Sequence, residues 1–140
     1  MRRFLAAATT VAMVLMCSIA FTQPAAAATI TRSCSSTAQM CLHYNSIPYG
    51  LGAEFGSNSN IPSLNPNVNG GTTYAFKAGL FGSAGAGVSV WNNAGGAENL
   101  STYRSFRVYV NSNYMGGYDH VSRQNAQSLS ATWNDNASMR

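Results

Sequence analysis

The chain has 140 residues, 9% of them charged, with eight basic residues against four acids. That length supports one modest domain. Two of the basic residues, Arg2 and Arg3, stand at the extreme N-terminus, so residues 29–140 carry a net charge near +2, too weak to recruit nucleic acid or an anionic membrane.

Arg2 and Arg3 precede an uncharged, almost wholly apolar run over 4–21. Thr22, Gln23 and Pro24 then break any helix, and four alanines follow at 25–28. A positive start, an apolar stretch and a small-residue end are the pattern of a secretion signal. The expected organisation is a signal peptide over 1–28 and a single secreted, extracellular domain over 29–140, free of the membrane after cleavage. The apolar run is also near the length of a membrane span. A retained anchor is the weaker reading, because Pro24 and the alanines form a cleavage site and no basic stop follows. Cys17 is a poor lipid-attachment site, since the bulky Met16 precedes it.

Cys17 leaves with that segment, and Cys34 and Cys41 remain. In an oxidising compartment two such cysteines are most simply one disulfide. It would close a loop of eight residues and, by chain entropy, contribute about 2–3 kcal/mol. Two cysteines are too few for a structural zinc site.

From there the chain is rich in Gly, Ser, Asn and Ala, with no apolar stripe at helical spacing longer than two turns. Short β-type runs occur instead, over 40–44, 87–91, 105–110, 118–121 and 129–133. Phe106, Val108 and Val110 alternate with Arg107 and Tyr109, the period of a half-buried strand. Turn residues lie between the runs, at 47–50, 65–67, 69–71, 92–93 and 115–117. Short strands with frequent turns predict an all-β sandwich. Thirteen aromatic residues beyond position 28 argue against disorder.

The chain also repeats itself. Tyr44, Tyr49 and Gly50 echo Tyr109, Tyr114 and Gly116, and Trp91-Asn92-Asn93 echoes Trp133-Asn134-Asp135. The first half is longer, so an insertion is expected within 58–87. An aromatic residue followed seven positions later by glycine suits a strand entering a hairpin, the ring covering the turn and the glycine taking a left-handed angle. Tyr109 and Gly116 have this spacing; after Tyr44 the place is held by Leu51, between Gly50 and Gly52. Tyr109 and Trp133 are both expected in or beside the core.

These residues resemble a βγ-crystallin domain, whose signature is Tyr-x6-Gly followed by an Asn/Asp-Asn/Asp-x-x-Ser/Thr-Ser loop. More narrowly, residues 29–140 resemble the secreted actinobacterial peptidase inhibitors whose archetype is a metalloproteinase inhibitor of that fold. The matching stretches are Cys34-x6-Cys41-Leu42-x-Tyr44, Gly85-x-Gly87-x-x-Val90-x-Asn92-Asn93-Ala94, Tyr109-x-Asn111-Ser112-Asn113-Tyr114-x-Gly116-x-Tyr118-Asp119 and Asn134-x-Asn136-Ala137-Ser138. The resemblance implies a sandwich of two Greek-key motifs. It also implies a non-catalytic, monomeric inhibitor of a secreted peptidase, most simply a metallopeptidase. A killer-toxin-like antifungal protein and an envelope-associated or calcium-binding module are the alternatives.

The chemistry in the sequence is sparse. Asp119-His120 is the one acid–histidine neighbour pair, and adjacent side chains on a strand face opposite ways. His43 has no acidic neighbour in sequence. No nucleophile elbow, zinc spacing or phosphate loop appears, so no enzyme is expected and no cofactor is required. By the family's pattern, weak Ca²⁺ binding would use Asn134, Asp135 and Ser138 in one loop and Asn92 and Asn93 in the other, which lacks both hydroxyl positions. The competing reading is that these side chains bond their own turns. The archetype's reactive loop depends on cysteines missing here. The candidate inhibitory loop is the insertion's, carrying Leu80 and Phe81; the competing and stronger reading is that these apolar side chains cover the core.

Overall fold

A computed structural model describes residues 27–140. All but the last two residues of the expected signal peptide lie outside the described residues. No helix among the described residues is long and apolar enough to cross a membrane.

The fold is all-β. Its strands in chain order are β1 (Thr29–Ile30), β2 (Met40–His43), β3 (Glu54–Ser57), β4 (Thr73–Tyr74), β5 (Gly96–Asn99), β6 (Phe106–Asn111), β7 (Met115–Val121), β8 (Asn125–Ser128) and β9 (Ser138–Met139). Four strands form an antiparallel sheet in the order β3-β2-β5-β8, and three form a second in the order β7-β6-β9. β1 and β4 make a short parallel pair. The two larger sheets exchange partners. β8, from the C-terminal half, completes the first sheet beside β5. In return, the segment 61–64 bonds the outer edge of β9, with Ile61 N–H donating to Met139 C=O at 2.8 Å and Met139 N–H to Ile61 C=O at 3.0 Å.

Alternation decides which side chains meet. Met40 and Leu42 of β2, Phe55 of β3 and Ala97 of β5 face Phe106, Val108, Val121 and Met139 in one apolar core, which Ile61, Leu64, Phe76 and Val90 extend. β2 is buried on both faces, because Cys41 and His43 point to the other side of their sheet and are covered as well. The cover is the N-terminal segment and the loop after β4.

The expected strands at 40–44, 105–110 and 118–121 are present. Two others are not. Residues 87–91 form only a bridge from Ser89 to Ala75, because Gly85 and Gly87 hold positive φ angles of +84° and +85° and kink the approach. Residues 129–133 form a turn, and Trp133 lies 58% exposed rather than in or beside the core. The cause is Asp119, whose carboxylate accepts from the N–H groups of Ser130, Ala131 and Thr132 and curls that stretch. Tyr109 is buried as expected. The expected turn at 115–117 lies inside β7; the reversal comes at 112–114, where Asn113 and Tyr114 have φ of +59° and +63°. Gly116 keeps the left-handed angle its spacing predicts, φ +77°, and Leu51 takes the equivalent one at φ +53°.

Candidate functional site

Cys34 and Cys41 form the expected disulfide, with Cα atoms 5.7 Å apart. It pins the N-terminal segment over the outer face of β2 and β3. There the Cys34 N–H donates to the buried Glu54 carboxylate at 3.0 Å, and Gly56 N–H donates to Arg32 C=O. A side chain at Gly56 would strike Ser33 C=O and the Ala38 methyl, so the close approach of the two segments needs glycine.

Glu54 also anchors the loop after β4. Its N–H and C=O exchange two 2.8 Å bonds with Lys77, and a Cβ at Gly79 would overlap its carboxyl group. Beyond this clamp the chain makes a two-residue turn. Gly79 N–H bonds Gly82 C=O at 3.1 Å, and Gly82 N–H bonds Gly79 C=O at 3.2 Å. Gly82 sits at φ +113°, a conformation a side chain would strain. The two tip residues are Leu80 and Phe81, both exposed but to different degrees. Leu80 is 88% exposed and covers nothing. Phe81 is 41% exposed and sets its ring edge-on to His43, centroids 5.5 Å apart.

His43 is fully buried, and neither ring nitrogen has a hydrogen-bond partner. Its Nε2 lies 3.4 Å from Glu98 Oε2. Desolvation lowers its pKa from 6.5 to about 4. The ring is therefore neutral near neutral pH; burial outweighs the nearby carboxylate. Glu98 is shifted the other way: burial raises its pKa, and the charge of Glu54 raises it further. The sequence gives no sign of this cluster, because its members are far apart along the chain. Register assembles it: His43 pairs with Glu54 across β2 and β3, and Cys41 pairs with Glu98 across β2 and β5. His120 is exposed on β7, and its neighbour Asp119 is held in the 130–132 turn.

The two asparagine loops meet. Asn92 N–H donates to Asn136 C=O at 3.0 Å, and Asn134 N–H donates to Ala94 C=O at 3.0 Å. Each loop thus gives the N–H of its first Asn to the carbonyl two residues along the other. Asn92 and Asn134 share a left-handed backbone, φ +57° and +52°. Asn136 is buried between the loops; its Oδ1 accepts from Ala94 N–H at 2.9 Å and its Nδ2 donates to Val90 C=O at 2.8 Å. Asn93 Nδ2 donates to Trp91 C=O in its own loop.

This bears on how well the residues named for calcium suit that ion. Ser138 Oγ donates to Asn111 C=O at 2.6 Å and accepts from Tyr114 N–H at 3.1 Å. The Asn136 amide is engaged at both ends. Asp135 is exposed and is the one carboxylate within either loop. Calcium takes six to eight oxygens, and this set offers it one free carboxylate, with the hydroxyl already bonded. The fit is poor. Among the described residues no group of three or more His, Cys, Asp or Glu side chains is placed to hold a metal ion.

Comparison of the chain with protein-family models, with curated proteins and with solved structures returns no match.

Proposed function

We propose that this protein is a secreted inhibitor of an extracellular metallopeptidase, built as two Greek keys of βγ-crystallin type and acting as a single copy by tight, non-catalytic binding. The observation that carries the reading is Leu80. It stands 88% exposed on a turn whose ends bond each other and whose stem is bonded to Glu54. A turn closed by its own bonds has little backbone freedom to lose on binding, which is how preorganised inhibitors gain affinity. Burying it in a partner's pocket is worth about 1.5–3 kcal/mol. A two-residue turn cannot lie in a cleft as an extended substrate does. Leu80 instead enters an apolar specificity pocket as a knob, and the backbone beside it stays out of line for cleavage. The two-key reading is supported by the exchange of β8 and the segment 61–64 between sheets and by the reciprocal bonds of the two asparagine loops. Calcium binding is weak, through Asp135 and loop carbonyls, and is not required.

The test is inhibition of thermolysin-like, subtilisin-like and trypsin-like enzymes by the purified protein at micromolar concentration. Inhibition of the first is expected. Leu80→Ala should weaken it about 10- to 100-fold, the equivalent of that burial, at an unchanged melting temperature. No inhibition of any of the three, or steady cleavage as an ordinary substrate, refutes the proposal.

A further inference from the structure

We infer a second binding site, for a neutral pyranose sugar, in the groove between the asparagine loops and the turn that follows β2. The groove holds about 150 Å³. That is many times the roughly 10–15 Å³ that one water molecule needs, room for a single small ligand ring. Tyr49 and Trp133 both line it, and they are 78% and 58% exposed. Single exposed aromatics are common on protein surfaces. Two of them on one groove whose remaining walls are amide, hydroxyl and phenol groups are a different arrangement. Asn45, Ser46, Asn93 and Asn134 supply the polar wall, and no lining side chain is charged.

That composition matches the two-sided chemistry of a pyranose. One face of the ring is polarised C–H, which an aromatic face attracts through its negative π surface; its edge is hydroxyl, which amides bind as donor and acceptor. Asn45 and Asn93 each give an Nδ2 proton to a backbone carbonyl, Tyr49 C=O at 3.3 Å and Trp91 C=O at 2.8 Å. Their Oδ1 atoms stay available to sugar hydroxyls. The alternatives fit less well. Phosphate or carboxylate ligands would meet no cation. An extended peptide pairs with a row of open backbone groups, but five of the seven lining residues, Tyr44, Asn45, Tyr49, Asn93 and Asn134, donate their N–H groups within the fold. The site is also rigid. Trp133 stands between Thr132, whose N–H and hydroxyl bond Asp119, and Asn134, whose N–H bonds Ala94 C=O.

Leu80 does not line this groove, so sugar binding and peptidase inhibition succeed or fail separately. The experiment takes protein purified after expression of the full chain, in EDTA to remove calcium. N-acetylated chitohexaose and cellohexaose are titrated by calorimetry and by tryptophan emission, with polyglutamate as the anionic control. Saturable binding of either sugar, with a blue shift from Trp133, is the expected result; which sugar binds separates acetamido-sugar polymers from plain glucans. Trp133→Ala and Tyr49→Ala should each weaken binding about tenfold or more with melting temperatures unchanged, and Leu80→Ala should leave it intact. The inference is overturned if neither sugar binds at about 10 mM, if the double variant Tyr49→Ala, Trp133→Ala binds as tightly as the parent, or if polyglutamate competes.

Discussion

Asp119 to alanine is the substitution whose effect the geometry fixes most closely. The carboxylate takes four hydrogen bonds from one turn: Ser130 N–H at 3.1 Å, Ala131 N–H at 3.4 Å, Thr132 N–H at 2.8 Å and Thr132 Oγ1 at 2.7 Å. Ser130 and Ala131 are exposed, so water replaces the carboxylate there at little cost. Thr132 is fully buried, and its two donors would be left without partners. An unsatisfied buried donor costs about 1–3 kcal/mol, so Asp119→Ala should destabilise by about 2–6 kcal/mol. At about 4 °C per kcal/mol for a domain of this size, the melting temperature falls by about 8–24 °C. Asp119→Asn keeps one carbonyl acceptor and should lose roughly half as much. Urea unfolding followed by circular dichroism gives the stability, and tryptophan emission reports the turn, because Trp133 is its next residue. A loss below about 1 kcal/mol for Asp119→Ala would refute the idea that the carboxylate organises residues 130–133.

Acid should destabilise the protein through His43. Its pKa is about 4 folded against 6.5 unfolded, so the unfolded chain binds the proton first. The stability of the neutral ring is complete above about pH 6.5 and is lost as pH falls towards 4, by up to about 3 kcal/mol. Glu98, with its pKa raised, opposes this at the acid end. Urea midpoints at pH 7.5, 5.5 and 4.5 should show the loss, and it should shrink in His43→Leu. Reducing Cys34–Cys41 should cost about 2–3 kcal/mol, read by calorimetry with and without reductant; an unchanged melting temperature would contradict the loop-closure account. Asn136→Ala removes a buried amide that reaches across to the first asparagine loop; Val90 C=O keeps its bond from Asn93 N–H, but Ala94 N–H is left unpaired, so the change should cost about 1–3 kcal/mol, measured by denaturant unfolding.

The strands visible in the sequence are those in which side chains set the pattern. Residues 105–110 alternate because one face of β6 enters the core and the other does not. Six strands were not visible: the two-residue β1, β4 and β9, too short to show a period, and the four-residue β3, β5 and β8. The latter three are built from Glu, Gly, Ala, Asn, Gln and Ser, with Phe55 their one large apolar side chain. Their composition follows backbone crowding rather than strand preference. A Cβ at Gly56 would meet Ser33 C=O, and one at Gly96 would meet Asn45 C=O at 2.7 Å. Where neighbouring chain passes that close, glycine is required although it is a poor strand former. Residues 129–133 show the reverse case. Their Leu-x-Ala-x-Trp alternation suits a strand, but a carboxylate ten or more positions away captures three successive N–H groups, and no local pattern reports that.

The candidate sites follow the same division. Leu80 and Phe81 were legible as a bulky apolar pair in a glycine-rich insertion, but their opposite fates depend on what lies beneath. Phe81 has His43 to pack on, whereas Leu80, one residue earlier on the turn, has nothing. The asparagine loops were legible as a repeat. Their bonding is set by the pairing of the two halves: what reads as a pair of ligand loops is also the seam that joins them. The reciprocal bonds from Asn92 and Asn134, together with the amide of Asn136, hold the loops in register. That seam positions Asn93 and Asn134 along one side of the groove, while Asp119 holds the turn that presents Trp133. The rigidity that binding would draw on therefore comes from residues that touch no ligand. Substitutions at Asp119 or Asn136 should impair the groove without altering any side chain that lines it.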